Sequence, residues 1–321
     1  MIKSTIIGLA ALLFPISESA SMDVHKIKQD GLSALMSEDH TVPVVSLRMV
    51  FDGGKRLVPE GKEGVAQLAS YLLMEGAGKL DAEAISDQMV ELAANISFSA
   101  ERDGFSVSIT SVSDAMLEAV DLALTMLTKP TLAEEDLART KQQMLASIRR
   151  RMNDPQSLAF AALARTAYPN VSQGRGETRG SVEGLTKSDV EAYLKDQVQS
   201  AKLLLSMAGD LDQEQARQIL ARVASALPEG QPMPKNDFHD MSGQGQQVLV
   251  SQDIPQSTAV MAVPGLLRED DDFLAAYVMN HILGGGGFSS RLTDEIREIR
   301  GLAYSAASFL APSRETAGLM I

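Results

Sequence analysis

The chain has 321 residues, 29 basic and 42 acidic, giving a net charge of −13, with no cysteine, no tryptophan and four histidines. The length suits two compact units, the 45% apolar fraction can build a core in each, and the acid excess argues against nucleic acid as a partner. Zero cysteines remove disulfides, thiolate metal sites and thiol nucleophiles, and His25, His40, His239 and His281 are too far apart for a helical i, i+4 pair.

The N-terminus has the pattern of an export signal: Lys3, an uncharged apolar run from Ile6 to Ile16, then small residues at Ser17, Ser19 and Ser21. The run is too short to span a bilayer, and a short buried helix is the weaker alternative. Residues 1–21 contain one base and one acid, so cleavage after Ser19 or Ser21 leaves the charge at −13. No later stretch approaches the length of a membrane span, so the mature chain is expected in an exported compartment, with the periplasm compatible with the lack of cysteine.

Val42 to Phe51 reads as a β-branched strand ended by Gly53-Gly54. Val65, Leu68, Leu72 and Leu73 then recur at helical spacing, with Gly76 and Gly78 as the stop. A helix over Ala82 to Leu92 precedes a hairpin, Ile96 to Ala100 and Phe105 to Ile109, around Arg102-Asp103-Gly104. Two helices follow, Ser113 to Leu127 and Leu132 to Met152. The second carries acids at its start and Arg149, Arg150 and Arg151 at its end, which complements the helix dipole better than it suggests an anion site.

Asp154-Pro155 opens another helix as N-cap and N1. Tyr168 to Gly184 reads as a loop, Thr186 to Asp189 as a capping-box start for Val190 to Gln199, Ala201 to Gly209 as a strand and Gln213 to Leu227 as a helix. The segment 228–247, rich in proline, glycine and polar residues, is the best linker. Beyond it the pattern restarts: strands Val248 to Ser251 and Thr258 to Val263, helix Asp272 to Leu283, a four-glycine loop, helix Ser290 to Ile299 and strand Leu302 to Leu310. Both halves thus repeat a strand, loop and helix order, which suggests duplicated α+β lobes. Gly318 to Ile321 reads as the start of a further strand, so the second lobe looks incomplete.

The run Gly284, Gly285, Gly286, Gly287 lacks the Lys-Ser/Thr of a P-loop and the preceding strand of a dinucleotide fingerprint. It is a permissive connection that lets backbone approach a ligand, and turn formation explains it equally well. No G-x-S-x-G elbow is present. Arg297 near a helix end and Tyr304 seven residues later can converge on one groove, where guanidinium and phenol would hold carbonyls or an oxyanion. Spacing alone favours a solvated arginine and an interface tyrosine.

The segment LGGGGFSSRLTDEIREIRGLAYS, Leu283 to Ser305, resembles the C-terminal-lobe signature of the pitrilysin/insulinase family of zinc peptidases, especially its processing-peptidase-like bacterial members. Gly209 to Leu211, GSVEGLTKSDVEAYL and GGKRLVPEGKEGVAQLASYLL extend the resemblance from about Val44 onward. It implies an α+β fold of two similar lobes, each an antiparallel-rich mixed sheet packed by helices, forming half of a clamshell. On it the chain divides into a signal peptide (1–21), an N-terminal peptidase-like lobe (22–227), a linker (228–247) and an incomplete C-terminal lobe (248–321).

Active members carry H-x-x-E-H on the helix after the first strand, with a later glutamate as third zinc ligand. The matching positions here are Gln67, Ser70 and Tyr71, and the later ligand falls near Ala146 or Ser147, so no metal ligand is expected in this chain. The edge strand that pairs with substrate in active members matches Ile96 to Ala100, for which plain sheet structure is the better reading here.

Some bacterial members work as pairs in which one subunit holds zinc and the other supplies an arginine and a tyrosine. Arg297 and Tyr304 match that pair. The resemblance therefore implies a non-catalytic subunit that binds peptide or unfolded polypeptide beside a homologous H-x-x-E-H-bearing partner holding the zinc. A peptide-binding scaffold of the same fold with no proteolytic role is the alternative, and the retained arginine and tyrosine weigh against it.

Overall fold

The computed structural model describes residues 23–235 and 237–321; the export signal read on residues 1–21 lies outside them. The first half is an α+β unit. Strands β1 (His25–Gln29), β2 (Leu32–Glu38) and β3 (Val44–Asp52) are followed by α1 (Val65–Leu72), the short pair β4 (Gly76–Ala77) and β5 (Leu80–Asp81), and α2 (Ala82–Glu91). The hairpin β6 (Asn95–Ala100) and β7 (Gly104–Val112) leads into α3 (Met116–Thr128), α4 (Glu134–Met152), α5 (Pro155–Ala167), α6 (Arg179–Glu183) and α7 (Lys187–Gln197). Strand β8 (Leu203–Gly209) and α8 (Gln213–Ala226) complete the unit.

Its six-stranded sheet has the order β1-β2-β8-β3-β7-β6, antiparallel except for β2 with β8. In the central strand β3, Val45, Leu47, Met49 and Phe51 are buried while Ser46 and Arg48 are exposed, so one face packs under helices and the other meets solvent. Among the described residues strand β6 pairs with β7 alone and leaves its outer edge open. Local chemistry sets the helix starts. Asp81 and Asp154 accept from the backbone N–H three residues on, and Thr186 with Asp189 and Asp212 with Gln215 form reciprocal capping boxes.

The hairpin β1–β2 turns at Asp30 and Gly31, both with positive φ, as two-residue hairpins require. The segment read as a loop, Tyr168 to Gly184, contains α6, started by a capping box between Thr178 and Ser181.

In the second half β9 (Ala262–Pro264), α9 (Phe273–Asn280), β10 (Phe309–Leu310) and β11 (Gly318–Met320) are the regular elements, with sheet order β10-β11-β9. The expected strand Val248 to Ser251 is irregular, and of the expected strand Thr258 to Val263 only the last two residues are in β9, which pairs with β11. The expected helix Ser290 to Ile299 is a wide π turn over Thr293–Ile299, and the strand Leu302 to Leu310 shrinks to its last two residues. The halves touch through Tyr168, whose buried hydroxyl donates to the Ala317 carbonyl at 3.0 Å, and through a tilted Phe160–Phe309 ring pair.

Candidate functional site

Helix α1 packs against α4, α7 and the edge strand β6. On it Ser70 is buried, Gln67 half-buried and Tyr71 46% exposed. The Ser70 hydroxyl donates back to the Gln67 carbonyl at 2.8 Å, and the Gln67 side-chain amide donates to Ser70 Oγ at 3.3 Å. Ala146 and Ser147 sit half-buried on the neighbouring α4. An amide, a hydroxyl and a phenol at i, i+3 and i+4 are not a zinc-binding set, and a neutral serine hydroxyl cannot serve as the base that activates water. Among the described residues no group of three or more His, Cys, Asp or Glu could hold a metal ion. These residues do not fit a zinc ion.

The second candidate group lies between α9 and β10. Gly284 and Gly285 sit in a wide turn continuing α9, where an added Cβ would meet Ser308 N at 2.4 Å and Asn280 Nδ2 at 2.7 Å. At Gly286 a Cβ would meet the His281 carbonyl at 2.8 Å. Close packing thus accounts for these three. Gly287 has φ +63° and open space around it. The Arg297 guanidinium lies 4.8 Å from the Phe288 ring centroid, with Nε 3.4 Å from Glu298 Oε1. Tyr304 is 88% exposed, in an irregular segment rather than on the expected strand, and makes no hydrogen bond among the described residues. Arg297 is therefore joined to the glycine loop through Phe288.

A charge network unforeseen from the sequence joins the halves. The Arg56 side chain, 2% exposed, reaches Asp52 at 3.1 Å and both Asp103 and Glu315 at 3.9 Å. Arg314 pairs with Asp52 at 3.2 Å, and its backbone N–H donates to Asp103. Buried Gln197 fixes the loop that presents Arg56: it accepts from Gly54 N–H and donates to the Phe51 and Asp52 carbonyls. The signal for it in the sequence is Gly53-Gly54 followed at once by two bases.

A one-faced, antiparallel-rich sheet with a helix laid beside its edge strand, and an amide, a hydroxyl and a phenol at i, i+3 and i+4 on that helix, define an α+β scaffold of the peptidase-like kind expected from the sequence. The model of a family described as Insulinase (Peptidase family M16) matches residues 33–177, and that described as Peptidase M16 inactive domain matches residues 184–321. The chain belongs to the M16 peptidase family, as a member lacking the H-x-x-E-H residues. It is 24% identical over 306 residues to a "non-peptidase homolog YmxG" of Helicobacter pylori, covering 94% of this chain and 70% of that one. Among solved structures it resembles a peptidase M16 inactive domain from Pseudomonas fluorescens, with TM-score 0.81, 28% identity and coverage of 93% and 73%. A protease from Helicobacter pylori shares the fold, with TM-score 0.78, 17% identity and coverage of 94% and 74%.

Proposed function

We propose that this protein is the non-catalytic, substrate-binding subunit of a two-chain zinc metallopeptidase, exported to the periplasm and paired with a homologous H-x-x-E-H-bearing subunit that holds the zinc. The observation that carries the reading is a contrast. All four zinc-site positions, Gln67, Ser70, Tyr71 and the Ala146/Ser147 pair, have side chains unsuited to the chemistry, whereas Arg297 and Tyr304 keep theirs. A scaffold without a proteolytic role has no use for that pair.

The substrate is an extended peptide or unfolded polypeptide. The Arg297 amino groups and the Tyr304 hydroxyl donate to the backbone carbonyls of the peptide and, as the scissile carbonyl becomes tetrahedral at the partner's site, to its developing oxyanion. Donors aimed at charge that appears only in the transition state raise turnover rather than affinity. The glycine loop can contribute backbone contacts at Gly287, where space is open.

The test is to assay this chain, the H-x-x-E-H-bearing product of a neighbouring reading frame, and their mixture on a quenched fluorescent peptide. The reading expects cleavage by the mixture well above that of either chain alone. Stoichiometric zinc and cleavage with this chain alone would refute it, and peptide binding with no gain in cleavage would favour the scaffold.

A further inference from the structure

We propose that Phe288 is a positioning residue for Arg297, its ring holding the guanidinium so that both Nη groups face the substrate; this rests on the reading of Arg297 given above. Phe288 is 77% exposed and so has no packing reason to be aromatic. What it does contact is the Arg297 guanidinium, at 4.8 Å from the ring centroid, inside the roughly 6 Å range of cation–π attraction. Such a stack engages the flat face of the guanidinium and leaves its hydrogen-bonding edges available.

The Arg297 Nε faces Glu298, while Nη1 and Nη2 meet no hydrogen-bond partner among the described residues. Arg300, on the same turn, shows the opposite arrangement: its Nη1 donates to the Glu295 carbonyl at 2.7 Å and also to the Glu295 carboxylate. One arginine is locked to its own helix and the other is braced from the side with its fork uncommitted.

The brace is itself anchored. The Ser290 backbone N–H donates to the Gly287 carbonyl at 3.1 Å, and the buried Ser290 hydroxyl donates to Thr293 Oγ1 at 3.0 Å. The Thr293 hydroxyl is placed to donate to the Gly287 carbonyl at 3.1 Å or to the Ala306 carbonyl at 3.2 Å. Thr293 belongs to the turn that carries Arg297, Gly287 precedes Phe288, and Ala306 lies two residues beyond Tyr304. One buried hydroxyl pair therefore ties together the three segments that hold Phe288, Arg297 and Tyr304, which gives the stack a fixed base.

An exposed cation–π contact is worth about a two- to five-fold change in the docked population of the arginine. In the assembled pair, Phe288→Leu should lower kcat by about that factor with little change in KM, and Phe288→Tyr should recover the loss. Arg297→Ala should cost more, and Phe288→Leu combined with Arg297→Ala should be no worse than Arg297→Ala alone. The chain has no tryptophan, so Phe288→Trp places a single indole in the stack, and its emission should shift when Arg297→Ala is added. An Arg297→Ala loss with no Phe288→Leu loss, or two losses that multiply, would overturn the positioning role while leaving the reading of Arg297 intact. An Arg297→Ala variant with unchanged turnover would overturn both.

Discussion

Replacing Arg56 by methionine should destabilise the protein far more than replacing Arg314 by alanine, although the side chains of both arginines pair with Asp52. Arg56 is 2% exposed and faces Asp52, Asp103 and Glu315; its removal leaves Asp103 and Glu315 beside an apolar side chain with no side-chain cation in reach among the described residues, and Asp52 with Arg314 alone. Breaking a buried pair from one side costs roughly 3–5 kcal/mol. These carboxylates remain 17%, 31% and 23% exposed and can turn to water, which places the expected loss near the low end, about 3 kcal/mol. Arg314 is 46% exposed, so its pair is worth less than about 1 kcal/mol. With a urea slope of about 3 kcal/mol per molar, Arg56→Met should lower the unfolding midpoint by about 1 M. Far-UV circular dichroism reads the transition without needing tryptophan. Because Glu315 lies in the second half, combining Arg56→Met with Glu315→Gln should show a coupling of about 1 kcal/mol. Equal losses for Arg56→Met and Arg314→Ala, with no coupling to Glu315, would refute the assignment of the network as the tie between halves.

Gly54 has φ +56°, and an added Cβ would meet backbone atoms of Glu101 and Gly104 at 2.5 Å; Gly54→Ala should cost about 2–4 kcal/mol. Gly61→Ala, with φ +81° and open space, should cost only about 1 kcal/mol, and the two urea midpoints compare them directly. The His40 Nδ1–H donates to the Asp210 carboxylate at 2.6 Å, and that hydrogen bond raises the His40 pKa above 6.5. Its contribution to stability is complete below pH 6.5 and is lost as the pH rises through the raised value. His40→Gln should therefore flatten the fall in urea midpoint above that pH, and an unchanged slope would contradict the linkage. Gln67→His with Tyr71→His restores two imidazoles at i, i+4 on α1, so titration calorimetry should find zinc binding in the double variant and none in the parent; equal behaviour would mean that the helix face is not built as described.

Much of the first half was legible because its elements bury one face. The alternation of Val45, Leu47, Met49 and Phe51 against Ser46 and Arg48 marks β3, and Asp154-Pro155 and Thr186-Asp189 mark helix starts that the hydrogen bonds bear out. The β1–β2 hairpin escaped notice because Leu32–Glu38, rich in Ala, Met, Ser and Leu, has little strand propensity; pairing with β8 makes it a strand, and Asp30-Gly31 was the available signal. In the second half propensity misled. Among the described residues the run around Val248 pairs with no strand, so Leu249 lies exposed outside any strand, and the run from Thr258 joins the sheet only at its end.

The grouping of Gln67, Ser70 and Tyr71 on one helix could be read, because i, i+3, i+4 spacing places three such positions together on any helix. Arg56 and Phe288 could not, since their roles come from contacts with residues brought near by the fold. For Arg56 the partner Glu315 is on the far side of the chain, and for Phe288 the contact depends on the turn taken at Gly287.

The central claim is that this chain completes a partner's active site with Arg297 and Tyr304. The most direct measurement is kcat for peptide cleavage by the assembled pair carrying Arg297→Ala or Tyr304→Phe, with assembly checked by gel filtration. Loss of one oxyanion donor predicts a fall of about 10²- to 10³-fold with the pair intact; undiminished kcat in both variants would contradict the account.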